Sequence, residues 1–381
     1  MDFNLTNDQI RRREQAAEFA RTELNTDVIT RDHAGEFSRD LWKKCADFGF
    51  LGLCVPNQYG GSALSLLDTI LTLEGLGYGS RDHGIAYGVN AQIWSVVECL
   101  VRFGTEQQKQ RYLPGICGGE LIGCYAMTEP DSGSDCFSLH ASADKSKDGY
   151  VLNGTKQLVT FAPIADFALI FAKTDLTAGR WGVSTFIVDR EIDGYLAAPV
   201  QHKMGLRTIP IGEIVLQDCS IPEQQRLGPE GSGASVFNTS QETERSCILA
   251  SQLGAMQYQL EQTIEFARKR KQFGKSIGKF QSVSNRIVDM KLRLETSRLL
   301  LYKTAWLREQ GDPNMLEAAL TNLYLAECYV QSSLDAIRVR GGRGYLTENE
   351  IERDMRDSIA APLYGGTSDI QRDIVARLLG L

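Results

Sequence analysis

At 381 residues the chain can hold two or three domains or one multi-layered unit, and its 43% apolar and 23% charged content is that of a globular protein, not a disordered one. A net charge of −7 argues against a broad nucleic-acid surface, although Arg268-Lys269-Arg270-Lys271 is basic enough locally to meet phosphate. No apolar run approaches the roughly 18 residues that span a bilayer. The start, Met1-Asp2-Phe3-Asn4, lacks the basic and apolar regions of a secretory signal and the arginines of a transit peptide, so a cytoplasmic protein is expected. The nine cysteines include no CxxC pair and there are only four histidines, which leaves no metal-ligand cluster and predicts buried, reduced thiols.

The first third predicts helices. Ile10, Ala17, Ala20 and Leu24 recur at helical spacing, and further helices are expected over 38–48, 64–76, 84–103 and 105–117. The Pro, Asn and Gly of Pro56-Asn57-Gln58-Tyr59-Gly60-Gly61 predict a loop. Near residue 120 the composition shifts. Short β-rich runs at 150–152, 167–172, 183–188 and 212–216, separated by turn pairs such as Asp148-Gly149 and Asn153-Gly154, predict an antiparallel sheet or barrel. Helical periodicity returns after Gly231: Leu249, Leu253, Met256, Leu260 and Ile264 share one face, and two long helices are expected over about 281–311 and 314–341. Periodicity therefore predicts an α+β chain with a central β domain, and nothing about chemistry.

Four motifs carry the chemistry. The first is Tyr125-Ala126-Met127-Thr128-Glu129-Pro130-Asp131-Ser132-Gly133-Ser134-Asp135, followed by Asp148-Gly149-Tyr150-Val151-Leu152-Asn153-Gly154-Thr155-Lys156. Next comes Phe266-Ala267-Arg268-Lys269-Arg270-Lys271-Gln272-Phe273-Gly274-Lys275, with Phe280-Gln281 just beyond; read alone this is a basic helix end with a solvated face. The third is Arg340-Gly341-Gly342-Arg343-Gly344-Tyr345, and the last is Leu363-Tyr364-Gly365-Gly366-Thr367-Ser368-Asp369-Ile370-Gln371. In wording, order and spacing these resemble the signatures of the acyl-CoA dehydrogenase flavoproteins, over essentially the whole chain.

The resemblance implies the acyl-CoA dehydrogenase fold: an N-terminal helical domain (1–121), a middle β-barrel-like domain (122–228) and a C-terminal four-helix bundle (229–381). It implies FAD, bound by Tyr125, Met127, Thr128, Gly133, Ser134, Leu158, Val159, Thr160, Thr367 and Asp369. By the same resemblance Arg270, Gln272, Phe273, Phe280, Gln281, Arg338, Gly341 and Gly342 contact the diphosphate and adenine half of a neighbouring subunit's FAD, in a homotetramer. Guanidinium suits phosphate oxygens, and paired glycines allow close backbone approach.

The sequence departs from the family pattern at three places. Arg338 stands where Gln is frequent, and Leu158 where many members carry Trp against the flavin. Most important, the family signature reads Tyr-Glu-Gly-Thr-Ser-x-Ile-Gln, and its Glu is the base that takes the α-proton of a thioester. Here that position is Gly365. A minority branch carries its base in a Glu-Arg pair on another helix, which matches Glu244-Arg245 and makes Glu244 the expected catalytic base. Read alone, Glu244 is one more acid near a helix start, and Glu242, two residues away, faces another side. Such a base needs a pKa raised by a closed apolar pocket.

The wording around Glu244 and Arg338 most resembles enzymes that oxidise proline held as a phosphopantetheine thioester on a carrier protein. The expected partner is thus a prolyl-loaded acyl or peptidyl carrier protein, and the expected product a pyrroline or pyrrole thioester. Ser134, Arg245, Tyr364 and Gly365 are the expected substrate contacts. A short branched-chain (isovaleryl-type) acyl-CoA dehydrogenase and a non-catalytic flavin-binding relative stay open beside that reading.

Overall fold

The computed structural model describes residues 4–312 and 314–381. Met1, Asp2 and Phe3, on which the expectation of no leader partly rests, lie outside the described residues. Among the described residues seven α-helices come first: α1 (Asn7–Glu23), α2 (Val28–Ala34), α3 (Arg39–Phe48), α4 (Leu66–Gly79), α5 (His83–Ala91), α6 (Glu98–Phe103) and α7 (Glu106–Cys117). Local chemistry sets their starts. Thr6 and Gln9 form a capping box on α1, Thr105 and Gln108 do the same on α7, and the Ser38 and Ser65 side chains accept from the first turns of α3 and α4. The single helix expected over 84–103 is interrupted: α5 passes into a π-helical turn, Gln92–Val97, before α6 resumes.

Eight strands follow: β1 (Gly123–Ala126), β2 (Ser142–Lys145), β3 (Gly149–Thr160), β4 (Phe167–Lys173), β5 (Val183–Asp189), β6 (Tyr195–Ala197), β7 (Ile211–Pro222) and β8 (Arg226–Leu227). They form one mixed sheet in the order β6-β7-β3-β2-β4-β5-β8, with β1 pairing parallel to β4. β6 and β8 end this path, so the sheet stays open and no closed barrel forms. β4 and β5 are buried along nearly their whole length, which explains their unbroken apolar runs.

The chain then returns to helices: α8 (Gly233–Cys247), α9 (Ala250–Lys269), α10 (Gln281–Glu309), α11 (Met315–Arg340), α12 (Ile351–Ser358) and α13 (Ser368–Leu378), with a short hairpin of β9 (Lys271–Gln272) and β10 (Lys275–Ser276) after α9. α9, α10, α11 and α13 pack as the terminal bundle. α4 lies between α1 and α9, and glycines permit the approach. A Cβ on Gly77 would sit 1.7 Å from the Ser251 carbonyl oxygen, and one on Gly254 1.9 Å from that of Glu74. The first and last helical segments are thus joined in one core. Among the described residues no helix is long and apolar enough to cross a membrane.

Candidate active site

Between the helices and the open face of the sheet lies a cavity of about 650 Å³. β1 and the loop after it supply Tyr125, Met127, Thr128, Gly133 and Ser134. β3 supplies Leu158 and Thr160 but not Val159, whose side chain is buried; strand alternation turns it away from the neighbours on either side. α8 supplies Gln241, Glu244 and Arg245, and the segment before α13 supplies Tyr364, Gly365, Gly366 and Thr367. Twelve residues expected from the sequence therefore meet at one cavity.

The loop of the first motif is anchored by a buried ion pair. Lys156 on β3 is fully buried and donates through Nζ to Glu129 Oε1 at 2.6 Å and to the Met127 carbonyl at 3.3 Å. Glu129 also accepts from the backbone N–H groups of His140 and Ala141. Burial lowers the Lys156 pKa to about 8, and the same partners hold the Glu129 carboxyl below its ordinary value against the cost of its own burial.

Glu244 is 8% exposed, and its carboxylate belongs to the cavity wall. Ser95 Oγ donates to its Oε2 at 3.0 Å and Gln241 Nε2 to the same oxygen at 2.7 Å. Desolvation raises its pKa to about 7, opposed by these two donors and by the charge of Arg245. Glu242 leaves the cavity and lies 3.7 Å from Arg308, as its position on α8 requires.

Gly365 and Gly366 adopt φ of +67° and +88°, where a side chain is strained. Gln371 Nε2 donates to both carbonyl oxygens, at 3.0 Å each. The Gly365 N–H has no hydrogen-bond acceptor among the described residues. A Cβ built on Gly365 would lie 3.9 Å from Glu244 Oε1, so a side chain at 365 and the Glu244 carboxyl would meet at one point. Next to this turn the Tyr364 ring packs 4.7 Å from Tyr87, whose hydroxyl is 3.3 Å from Thr160 Oγ1. Arg245 Nε is buried without a partner, and its guanidinium makes no ion pair among the described residues.

Profiles of the acyl-CoA dehydrogenase N-terminal, middle and C-terminal domains match residues 6–120, 124–219 and 231–380. The chain belongs to the acyl-CoA dehydrogenase family. Within that family it is 44% identical over 381 residues to an L-prolyl-[peptidyl-carrier protein] dehydrogenase of Serratia sp. (strain ATCC 39006), covering 100% of this chain and 99% of the relative. Among solved structures, that of the prolyl acyl carrier protein oxidase AnaB superposes with a TM-score of 0.98 at 46% identity, covering 99% of this chain and all of that one. PigA with FAD and proline gives 0.98 at 44% identity, with both chains fully covered.

The other expected site residues of this acyl-CoA dehydrogenase do not line the cavity. Arg270 and Gln272 are exposed beside the β9–β10 hairpin, and Phe273 is 91% exposed with its ring 6.0 Å from Phe280. Gln281 starts α10. Arg338 lies 3.7 Å from Asp335, and Gly341 and Gly342 have open space around them. Asp369 lines an adjoining groove with Ser134 and Thr367.

Several cavity residues had no signal in the sequence reading. Tyr87 and Ser95 come from α5 and the π turn, and Gln241 precedes Glu244 by three residues, a helical-neighbour spacing that could have singled it out. The far wall, Lys203 to Ile211, is pinned to α12 by the Leu206 N–H on Asp357 and by Arg356 on the Met204 carbonyl.

Proposed function

We propose that this acyl-CoA dehydrogenase uses FAD to oxidise proline held as a phosphopantetheine thioester on a carrier protein, giving a pyrroline or pyrrole carboxyl thioester. The observation that carries the proposal is the Glu244 carboxyl, buried in the cavity wall beside the glycine that replaces the family's usual acid. Full-length similarity to proteins named for prolyl carrier substrates favours proline over a branched acyl-CoA.

The cavity fits the cofactor. Leu158, at φ +55° and 58% exposed, turns an apolar face into it, and nothing lies within 4 Å of a Cβ on Gly133, where a bulky group can pass. Met127, Thr128, Leu158 and Thr160 would border the flavin ring, with Ser134 and Thr367 along the part leading out. When bound, FAD supplies the two-electron acceptor for the hydride that leaves Cβ.

Glu244 takes the α-proton, and the electron pair of that C–H bond becomes the Cα–Cβ double bond. The Gly365 N–H, with no acceptor among the described residues, is available to the thioester oxygen, where negative charge collects. Tyr364 walls the acyl pocket, and Arg245 keeps a cation beside the carboxylate, favouring its basic form.

The same reading includes a homotetramer and the domain limits 1–121, 122–228 and 229–381. Val288, Leu292, Leu299 and Trp306 form an exposed apolar stripe along α10, suited to a second copy. A cytoplasmic location accords with nine cysteines that are all free thiols, seven of them buried.

The test is anaerobic reduction of the purified flavoprotein. A prolyl-loaded carrier is expected to bleach the flavin and isovaleryl-CoA to leave it oxidised. Glu244→Gln is expected to slow bleaching at least about a hundredfold. Bleaching by isovaleryl-CoA alone would transfer the assignment to the branched-chain class.

A further inference from the structure

We infer that Ser95 and Gln241 are positioning residues that clamp Oε2 of Glu244 and so reserve Oε1 for the substrate proton. Both donors converge on one oxygen, at 3.0 and 2.7 Å, and among the described residues no hydrogen bond reaches the other. Oε1 is also the atom nearest the Gly365 turn, 3.9 Å from a Cβ placed there. Two donors on one oxygen fix the carboxylate plane. A free carboxylate would sample rotations, each moving the basic oxygen away from the substrate, and small misplacements are costly in rate.

The clamp explains the π turn. Tyr87, Ala91 and Ser95 all line the cavity at intervals of four residues. On an α-helix each such interval overshoots a full turn by about 40°. The π turn, closed by wider i→i+5 bonds, winds less per residue and takes most of that drift back. Ser95 is thereby returned to the face that meets α8. Gln241, one turn before Glu244 on α8, completes the pair from the base's own helix.

The clamp also sets the pH at which the base is ready. Charged or titratable neighbours facing Glu244 are Tyr87 on α5, Cys99 on α6, Tyr125 on β1 and Arg245 on α8. Burial pushes the tyrosine and thiol groups far above neutrality, and Arg245 stays cationic, so Glu244 is the group of this set that titrates near neutral pH. Hydrogen bonds donated to the carboxylate favour its charged form. Their loss must move its titration upward.

This inference rests on Glu244 being the base. The experiment is the pH dependence of kcat/KM with a prolyl-loaded carrier for Ser95→Ala, Ser95→Thr and Gln241→Met, each checked for bound flavin. Ser95→Ala and Gln241→Met are each expected to shift the acidic limb upward by about one pH unit, a roughly tenfold loss below the limb. Ser95→Thr, which keeps the hydroxyl, is expected to restore the limb. A limb that stays put or moves down in both the Ala and the Met variant, with flavin retained, overturns the clamp. Should Glu244→Gln turn over normally, the base assignment itself fails; should it be inactive while the limb stays put, the clamp alone is wrong.

Discussion

A carboxyl group cannot be both buried and ionised without cost, and Glu244 makes that cost measurable. Its pKa lies at about 7 in the folded chain against an ordinary 4.5, with burial as the main cause. Because the folded value is the higher one, the penalty is absent below about pH 4.5, grows as pH rises, and is complete above about 7. The interval corresponds to roughly 3 kcal/mol. Glu244→Gln is therefore expected to melt at a higher temperature than the parent at pH 8 and at nearly the same temperature at pH 5. An equal offset at both pH values would rule out the ionisation penalty. Position 365 is legible in the same terms. Its glycine could be read from the sequence as a missing acid, but not the φ of +67°, which makes the turn itself inhospitable to a side chain.

At the scale of elements, helix and strand periods survive into the structure wherever one face is buried. Long α9, α10 and α11 are readable for that reason, whereas β4 and β5, buried on both faces, are readable as short unbroken apolar runs. The π turn was not, since a single wide turn leaves the apolar pattern of 84–103 almost unchanged. The openness of the sheet was equally hidden, because strand order depends on pairing between distant segments. The ion pair between β3 and the first motif belongs to this scale too. Lys156→Met would leave the buried Glu129 carboxylate with the backbone N–H groups of His140 and Ala141 and the more distant His140 ring, 3.8 Å away, a loss of about 3–5 kcal/mol for a broken buried pair. The expected outcome is a lower Tm together with weaker flavin retention, read by thermal melts and by the flavin-to-protein absorbance ratio. An unchanged melt would mean that the loop is held without the Lys156 ion pair.

For the whole molecule, the arrangement of the motifs divides in two. The first and last meet at the cavity, whereas the second and third remain on open surface in the single chain. Under the homotetramer proposed above, their use depends on assembly. Light scattering of the flavin-loaded protein is expected to give the mass of four chains. The double substitution Leu299→Glu and Trp306→Glu on the α10 stripe is expected to yield smaller species that also lose flavin. Smaller species that keep a full complement of flavin would show that each chain holds the cofactor unaided.

From sequence alone came the family, the succession of helices, strands and helices, and the absence of an acid at 365 beside a candidate one at 244. All three are written in local patterns, in residue types at fixed spacing that need no knowledge of distant contacts. Tertiary structure decided which oxygen of that acid is held and which is free. It also decided that a serine some 150 positions away faces it, and that the thiols, tyrosines and arginine around it leave one group to titrate near neutral pH. Those outcomes arise only when remote segments desolvate one another, and burial of that kind has no periodicity to read.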